Sequence, residues 1–269
     1  GPFPSLASTV YRQYVKKTIE DFIDHARAAG FYDTTIGWEL SGLATEEWYY
    51  FGFNRLLGHP NREISGYSIP TRDAFRQWLR TKYNNNVAAL QAAWNNPAVT
   101  FDNVTVPTRS QRLDRLNSSI YTWRNVDSNM NVIDFYQFWN ELIPDFIDFC
   151  AGVIKNKTNN KKIVGAFYAY MYEFTSDISE SGQVGFGRFL RSPNIDYVYV
   201  TNSYNNRLLG QADLLRAPAY SAQLHDKLWV NSDDTMTWNA DYIISQFGWD
   251  ENTENAAKIN MGYTDTKEK

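Results

Sequence analysis

Two acidic stretches of this sequence each follow a short apolar segment. The first contains Glu46 and Glu47 and runs into aromatic residues, and the second contains Asp233 and Asp234 and follows a segment that ends at Val230. Each apolar segment has the composition of a buried β-strand. Carboxylates at the C-terminal ends of separate parallel strands are the groups that sugar-cleaving barrel enzymes use. The sequence therefore predicts glycoside cleavage, on the condition that the two strand ends face one cavity.

Glycoside cleavage requires two carboxyl groups with different tasks. One protonates the leaving oxygen, and the other attacks the anomeric carbon or activates water. Glu46 and Glu47 are adjacent, so on an extended strand their side chains point to opposite sides and only one of them can face the site. We favour Glu47, because Trp48 beside it could supply an apolar wall that raises the pKa of a general acid. A solvated acidic loop is the alternative explanation, and spacing alone leaves it open.

Further polar residues follow other predicted strands. Asp234 precedes a helical stretch, so it could equally cap the amino end of that helix. Glu173 comes just after a strand that ends at Tyr170. Asn202 and Tyr204 follow the next strand, where an amide and a phenol could bind sugar hydroxyls or could be ordinary turn residues.

Other chemistries have little support. The three histidines form no zinc-binding spacing with one another or with the single cysteine. Cys150 lies in an apolar helical run, where a buried, inert thiol is expected. The sequence has no Gly-x-Ser-x-Gly elbow, and the glycines from Gly182 to Gly187 lack the spacing of a nucleotide-binding loop. The spacing therefore predicts no metal site and no phosphate site.

Composition restricts the partners. Aromatic residues make up 16% of the 269 residues, a density that suits stacking on sugar faces, although most of them must fill a core. A formal net charge of −4 argues against nucleic acid and against anionic membranes. No segment is long and apolar enough to span a bilayer, and no signal peptide opens the chain. Three Asn-x-Ser/Thr sites hint at a secreted or periplasmic location, and Gly1-Pro2 could remain from tag removal.

The elements that must position these residues alternate between helix and strand. A continuous apolar run such as 162–170 suits a strand that is buried on both faces, and the alternation predicts a parallel sheet. Residues 95–128 form an irregular excursion, and Pro144 should bend or break the long helix that contains it. The predicted helices are 7–30, 72–83, 87–94, 132–155, 184–191 and 238–247, and the predicted strands are 34–40, 162–170, 195–201 and 227–230.

The fold class predicted from this order is α/β, with a parallel (β/α) barrel of the TIM type in one domain over residues 1–269. A closed barrel of this type has eight strands, whereas the sequence predicts four. Either strands are hidden in irregular stretches or the chain is part of a barrel. An incomplete barrel leaves unpaired strand edges, so we expect an oligomer or a second chain that completes the sheet.

Several phrases of the sequence carry a family resemblance. Residues 75–83 read Phe-Arg-Gln-Trp-Leu-Arg-Thr-Lys-Tyr, and Ala-Ala-Trp follows at 92–94. This pair of phrases resembles bacterial glycoside hydrolases of the beta-galactosidase type, in the group around family 42 of the large (β/α)8 clan. Further phrases fall in the order found in that group, namely those at 4–8, 47–48, 164–168, 192–196, 202–204 and 224–229.

The resemblance implies a retaining, exo-acting hydrolase that removes a terminal, galactoside-like sugar without a metal or organic cofactor. The strand before Glu47 would be the fourth barrel strand, and Glu47 would be the acid/base. The strand that ends at Val230 would be the seventh, where the nucleophile lies in this clan. Strands one to three would then precede the helix at 7–30, and the chain would be a mid-barrel section covering about strands four to eight. The residues expected to bind the sugar are Glu46, Trp48, Tyr170, Glu173, Asn202, Tyr204 and Trp229.

The sequence departs from the family pattern at the second carboxylate. Members of the family carry Glu at the position of Ser232 and Arg at the position of Met236. A serine hydroxyl that no base activates is a poor nucleophile, and Asp233 points to the other side of a strand unless a bulge turns it. Two functions therefore stay open. One is a glycosidase in which Ser232, Asp233 or Asp234 occupies the second catalytic position, and the other is a carbohydrate-binding relative without turnover.

Overall fold

The computed structural model describes residues 3–44, 46–51, 64–113, 124–172, 178–201 and 215–232. Eight α-helices and four β-strands follow one another over these residues, and a 3₁₀ turn at Gln183–Gly185 precedes the seventh helix. In chain order the elements are α1 (Thr9–Ala28), β1 (Gly37–Leu40), α2 (Ile69–Lys82), α3 (Val87–Ala93), α4 (Arg109–Leu113), α5 (Val126–Lys157), β2 (Ile163–Phe167), α6 (Ile178–Ser181), α7 (Phe186–Leu190), β3 (Tyr197–Thr201), α8 (Ala219–Gln223) and β4 (Leu228–Ser232).

The four strands form one parallel sheet in the order β1-β2-β3-β4. Trp38 of β1 lies beside Val164 of β2, and Thr201 at the end of β3 lies beside Ser232 at the end of β4. Each strand pairs with the next strand of the sequence, which is the order of successive strands in a (β/α) barrel. The predicted α/β class with a parallel, barrel-type sheet is confirmed. Among the described residues β1 and β4 each pair on one side only, as in a partial barrel.

The two faces of the sheet have different surroundings. On one face Val164 and Val198 are fully buried and belong to the same apolar cluster as the buried residues of α5. Side chains alternate along a strand, so Gly165, Tyr197 and Thr201 lie on the opposite face, which we call the site face. Gly165 must be a glycine, because a Cβ atom there would lie 2.2 Å from the ring of Tyr197.

The central helix α5 is longer than the sequence predicts and continues through Pro144. Its backbone leaves helical geometry at Asn129 (φ −129°, ψ 19°), so the break predicted at Pro144 is in the wrong place. A proline removes the hydrogen bond to the carbonyl four residues earlier, here that of Asn140. This carbonyl packs against Gly185, where a Cβ atom would lie only 2.0 Å from the oxygen. The 3₁₀ turn therefore docks where the proline leaves the α5 backbone open.

A buried carboxylate on α5 holds α2 and α3 in place. Asp134 has no solvent exposure, and its two oxygens accept hydrogen bonds from Lys82 Nζ, Tyr83 Oη and Trp94 Nε1, each at 2.7 Å. Burial, followed by the contact with Asp134, raises the pKa of Tyr83. Lys82, Tyr83 and Trp94 belong to the phrases that carry the family resemblance, so those phrases encode the docking of helices onto α5.

A buried ion pair connects α4, which lies within the segment 95–128, to α6. The guanidinium of Arg112, on α4, donates to both carboxylate oxygens of Glu180 and also to the Ser65 carbonyl at 2.7 Å. Tyr136 of α5 donates to the same carboxylate at 2.6 Å. Aromatic rings surround the guanidinium, with that of Phe135 4.7 Å away. A charge-assisted pair of this kind, satisfied on both sides, fixes α4 and α6 relative to α5.

The predicted elements agree with the structure at the strands and the long helices. Each predicted strand overlaps one of β1 to β4, and 7–30, 72–83 and 87–94 overlap α1, α2 and α3. The excursion at 95–128 is less irregular than predicted, because it contains α4 and its end belongs to α5. The short helices α6 and α8 were not predicted, since four or five residues are too few to show a helical period. The predicted helix at 238–247 lies outside the described residues.

Replacing Asp134 with Ala tests the anchoring of α2 and α3. Asp134→Ala removes the carboxylate that accepts from the partly buried Lys82 ammonium, the Tyr83 hydroxyl and the Trp94 indole N–H. We therefore expect a loss of about 3 kcal/mol in the free energy of unfolding. Asp21→Ala is the matched control, because the contact described for Asp21 is an exposed pair with Lys17, and we expect its loss to leave the free energy of unfolding nearly unchanged. Urea unfolding of both variants measures the difference. Equal losses in the two variants would contradict the assigned role of Asp134.

Candidate active site

The segment after β1 folds back on itself in a tight loop. The Trp48 amide donates to the Gly42 carbonyl at 2.9 Å, and the Gly42 amide donates to the Glu46 carbonyl at 3.0 Å. The Trp48 indole donates to the Leu40 carbonyl at the end of β1, also at 2.9 Å. These contacts hold the acidic pair close to the C-terminal end of the strand.

The backbone of this loop is strained. Leu43, Glu46 and Trp48 adopt positive φ angles of 61°, 65° and 62°. Non-glycine residues in the left-handed region cost roughly 1–2 kcal/mol each, because Cβ approaches the following carbonyl. Such residues persist only where their surroundings hold them, and they cluster at functional sites. The strain supports the choice of this segment as part of a site.

Glu47 is the more buried member of the acidic pair. Glu46 is exposed, whereas Glu47 is half-buried. Burial is the largest cause that raises the pKa of Tyr170, and the charge of Glu47 raises it further, which places Glu47 near the end of β2. Sequence reasoning also preferred Glu47, and its role as acid/base stays a prediction.

Tyr170 connects the ends of β2 and β3. It is fully buried, and its ring lies 6.0 Å from that of Tyr49 and 5.4 Å from that of Phe167. Its hydroxyl lies 3.2 Å from Thr201 Oγ1 and accepts a hydrogen bond from the Thr201 amide at 3.3 Å. Tyr170 is therefore a buried link between the ends of β2 and β3, and its role in binding sugar stays a prediction.

Thr201 connects Tyr170 to β4. Its hydroxyl accepts a hydrogen bond from the Arg216 guanidinium at 3.1 Å, and that guanidinium lies 5.6 Å from the centre of the Tyr170 ring. The strand register sets Thr201 beside Ser232, the last residue of β4. Glu47, Tyr170, Thr201 and the backbone of Ser232 thus form a connected series along the C-terminal edge of the sheet.

Two predicted pocket residues lie elsewhere. Trp48 is only 4% exposed, and its ring packs against Phe146 of α5 with centroids 6.0 Å apart, so it is a core residue and not a surface for stacking on sugars. Trp229 pairs in register with Val198 and therefore lies on the helix-covered face of β4. Both corrections have one cause, since composition near a strand end does not show which face a side chain occupies.

Of the remaining predicted site residues, one is described in its backbone and five lie outside the described part of the chain. Of Ser232 the structure describes the backbone position. The other residues outside the described part of the chain are Glu173, Asn202, Tyr204, Asp233 and Asp234.

Three residues at this edge were not predicted. Thr201 ends β3 on the site face, a position that strand alternation could have indicated. Arg216 has no sequence signal, because its partner Thr201 lies 15 positions earlier in the chain. Gln183 accepts hydrogen bonds from the amides just beyond β2 and donates one to the Glu47 carbonyl, yet in the sequence its glycine-rich surroundings lack the spacing of a phosphate loop and carry no other functional signal.

Other candidate sites are weaker. In the described part of the chain no group of three or more His, Cys, Asp or Glu side chains could hold a metal ion. None of the described helices is both long and apolar enough to cross a bilayer. A groove of about 380 Å³ lies between α5 and the α6–α7 segment, lined by residues such as Gln137, Glu141 and Arg188, but no strand residue contributes to it. Barrel enzymes place their chemistry at the C-terminal ends of strands, so we assign the site to the edge near Glu47.

A solved structure identifies the class of fold. The catalytic domain of a beta-amylase from Paenibacillus polymyxa matches with a TM-score of 0.58 and 13% sequence identity, over 83% of this chain and 56% of that chain. At this identity the match shows the fold alone, which is that of a glycoside hydrolase barrel domain. The chain spans little more than half the length of the matched structure.

The family is shown by the sequence itself. The model of glycoside hydrolase family 42, described as beta-galactosidase, matches residues 58–214, which is more than half of the chain. The chain belongs to this family, and the predicted resemblance is confirmed. A comparison with curated proteins gives no match.

Removing the Tyr170 hydroxyl tests the connection between β2 and β3. Tyr170→Phe leaves the buried Thr201 amide without its acceptor, so we expect the free energy of unfolding to fall by about 2 kcal/mol. Tyr220→Phe is the control, because Tyr220 lies on α8 with 78% of its surface exposed. Denaturant unfolding of the two variants gives the comparison. A Tyr170→Phe protein as stable as the control would show that the contact contributes nothing.

Proposed function

We propose that this protein acts on carbohydrates as a glycoside hydrolase that removes a terminal, galactoside-like sugar, with Glu47 as the acid/base. Membership of family 42 supports the substrate class. The observation that carries the proposal is the series Glu47, Tyr170, Thr201 and Ser232, which runs along one edge of one parallel sheet. An acid after the first strand and a residue at the end of the fourth can then act on the same bound sugar.

The mechanism we propose is the two-carboxylate route with retention. Glu47 protonates the leaving oxygen, and a second carboxylate about 5–5.5 Å from it attacks the anomeric carbon. The same Glu47 then deprotonates the water that releases the sugar. The position for the second group is the end of β4, where Ser232 lies beside Thr201, with Asp233 and Asp234 as the nearest acids in the sequence.

A second function is supported by one specific observation. The strand register sets position 232 beside Thr201 at the end of β4, where a nucleophile would be required, and the residue there is a serine. A chain that keeps the sugar pocket but lacks the nucleophile would bind carbohydrate without cleaving it. This alternative is a carbohydrate-binding relative with impaired catalysis.

Substituting Ser232 separates the two functions. If Ser232 occupies the nucleophile position, Ser232→Glu should raise turnover of an aryl β-galactoside by about 10³-fold or more, because it supplies the missing carboxylate. Ser232→Gln has nearly the same shape without the charge and should stay at the starting rate. Glu47→Gln added to Ser232→Glu should abolish the gain.

Each other result has a defined meaning. Substantial turnover by the unmodified chain would assign the nucleophile to Asp233, Asp234 or another group. Galactose binding in calorimetry without turnover in any variant would favour the carbohydrate-binding relative. Neither turnover nor binding in any variant would contradict both functions.

Completion of the sheet by another chain, and the single-domain organisation over 1–269, stay predictions. Among the described residues the edges of β1 and β4 are unpaired, and Leu228 of β4 is 58% exposed. An open edge with exposed apolar residues favours association.

A further inference from the structure

Gln183 lies at the start of the 3₁₀ turn between α6 and α7 and has no solvent exposure. We propose that Gln183 is a positioning residue that holds Glu47 and Tyr170 in a single geometry for the reaction. This inference rests on the function proposed above for Glu47. Gln183 itself touches no reacting atom and acts through the backbone of the two residues it holds.

The three hydrogen bonds of the Gln183 amide reach two strand ends. Its Oε1 accepts from the backbone amides of Ala169 at 2.8 Å and Tyr170 at 3.1 Å, just beyond β2. Its Nε2 donates to the Glu47 carbonyl at 2.9 Å, beyond β1. Backbone amides can only donate and a carbonyl can only accept, so the side-chain amide has one possible orientation. One side chain therefore fixes the distance between the two segments.

The backbone groups that Gln183 contacts lie in strained segments. Ala169 has a φ of 91°, and Glu47 lies between Glu46 and Trp48, whose φ angles are also positive. These conformations take the chain out of the regular strand ladder, and a buried amide or carbonyl there needs another partner. Gln183 supplies that partner on both sides and so keeps the strained conformations populated.

Gln183 is itself held on a rigid base. The carbonyl of the preceding residue, Gly182, accepts a hydrogen bond from the Tyr168 hydroxyl at 2.8 Å. Gly182 has a φ of 87°, and a Cβ atom there would lie 2.3 Å from Ile143 of α5. On the other side Asn140 of α5 accepts from the Val184 amide at 3.1 Å. The turn is thus fixed on the central helix, and the hydrogen bonds of Gln183 hold Glu47, Ala169 and Tyr170 relative to that helix.

Loss of the Gln183 bond to Glu47 should lower the catalytic rate. The carbonyl it holds belongs to Glu47, so loss of the bond frees the peptide unit that directs the Glu47 carboxyl group. A misplacement of about 1 Å in an acid of this kind can cost about 10²-fold in rate. Binding of the sugar depends on more contacts than this one, so kcat should fall while KM stays nearly unchanged.

Two substitutions distinguish the hydrogen bonds that Gln183 accepts from Ala169 and Tyr170 from the one that it donates to Glu47. Gln183→Met has similar length and no hydrogen-bonding amide, so it removes all three bonds. Gln183→Glu keeps an acceptor for the amides of Ala169 and Tyr170 but loses the donor to the Glu47 carbonyl. Gln13→Glu is the control for the change of charge, because Gln13 is exposed on α1.

Hydrogen exchange is measured first because it requires no activity. We expect the amides of Ala169 and Tyr170 to exchange about tenfold faster in Gln183→Met and at nearly the original rate in Gln183→Glu. The Val198 amide in β3 should be unchanged in both variants, which reports that the sheet is intact. Unchanged exchange of Ala169 and Tyr170 in Gln183→Met would overturn the inference.

Turnover of an aryl β-galactoside is then measured with Ser232→Glu as the parent. In that parent Gln183→Glu should lower kcat about 10²-fold with KM within about twofold, and Gln13→Glu should change neither. An active parent whose kcat is unaffected by Gln183→Glu overturns the role of Gln183 alone. If neither the unmodified chain nor the Ser232→Glu parent turns the substrate over, the positioning role and the proposed hydrolase are both overturned, while hydrogen exchange still shows whether the structural link exists.

Discussion

The contact between Tyr170 and Thr201 is the interaction on which the candidate site depends. Two parallel strands fix the separation of their backbones but not the arrangement of the residues beyond their ends. The Tyr170 hydroxyl meets both the amide and the side chain of Thr201, and Thr201 lies beside Ser232 in the register. Glu47 lies close enough to Tyr170 for its charge to add to burial in raising the pKa of the phenol. A buried phenol thus joins the end of the first strand to the end of the fourth.

The sequence predicts the sheet well because its signal is local. The apolar run at 162–170 indicates β2. Glu46 and Glu47, however, lie in a tight loop beyond β1 with a positive φ at Glu46, so the alternation of an extended strand does not apply to them. The faces occupied by Trp48 and Trp229 depend on register and on contacts with α5, which composition near a strand end does not contain. Gln183 could not be found for the same reason, since its partners lie 13 to 136 residues away.

The two family phrases at 75–83 and 92–94 contribute to packing and not to the candidate site. Lys82, Tyr83 and Trp94 meet at the carboxylate of Asp134, far in sequence from both strand ends. A buried carboxylate with three donors tolerates few substitutions, because loss of any one partner leaves a buried polar group unsatisfied. The phrases therefore identify the family even where the catalytic position, Ser232, departs from its pattern.

The central claim is that Glu47 and position 232 open onto one cavity. A crystal structure of the Ser232→Glu variant tests it most directly, through the distance between the carboxyl carbon of Glu47 and the carboxyl carbon introduced by the substitution. A retaining site requires that distance to be about 5–5.5 Å, with both groups on the site face. A separation greater than about 10 Å exceeds the range of both retaining and inverting glycosidases, and it would contradict the account, as would carboxylates on opposite faces of the sheet.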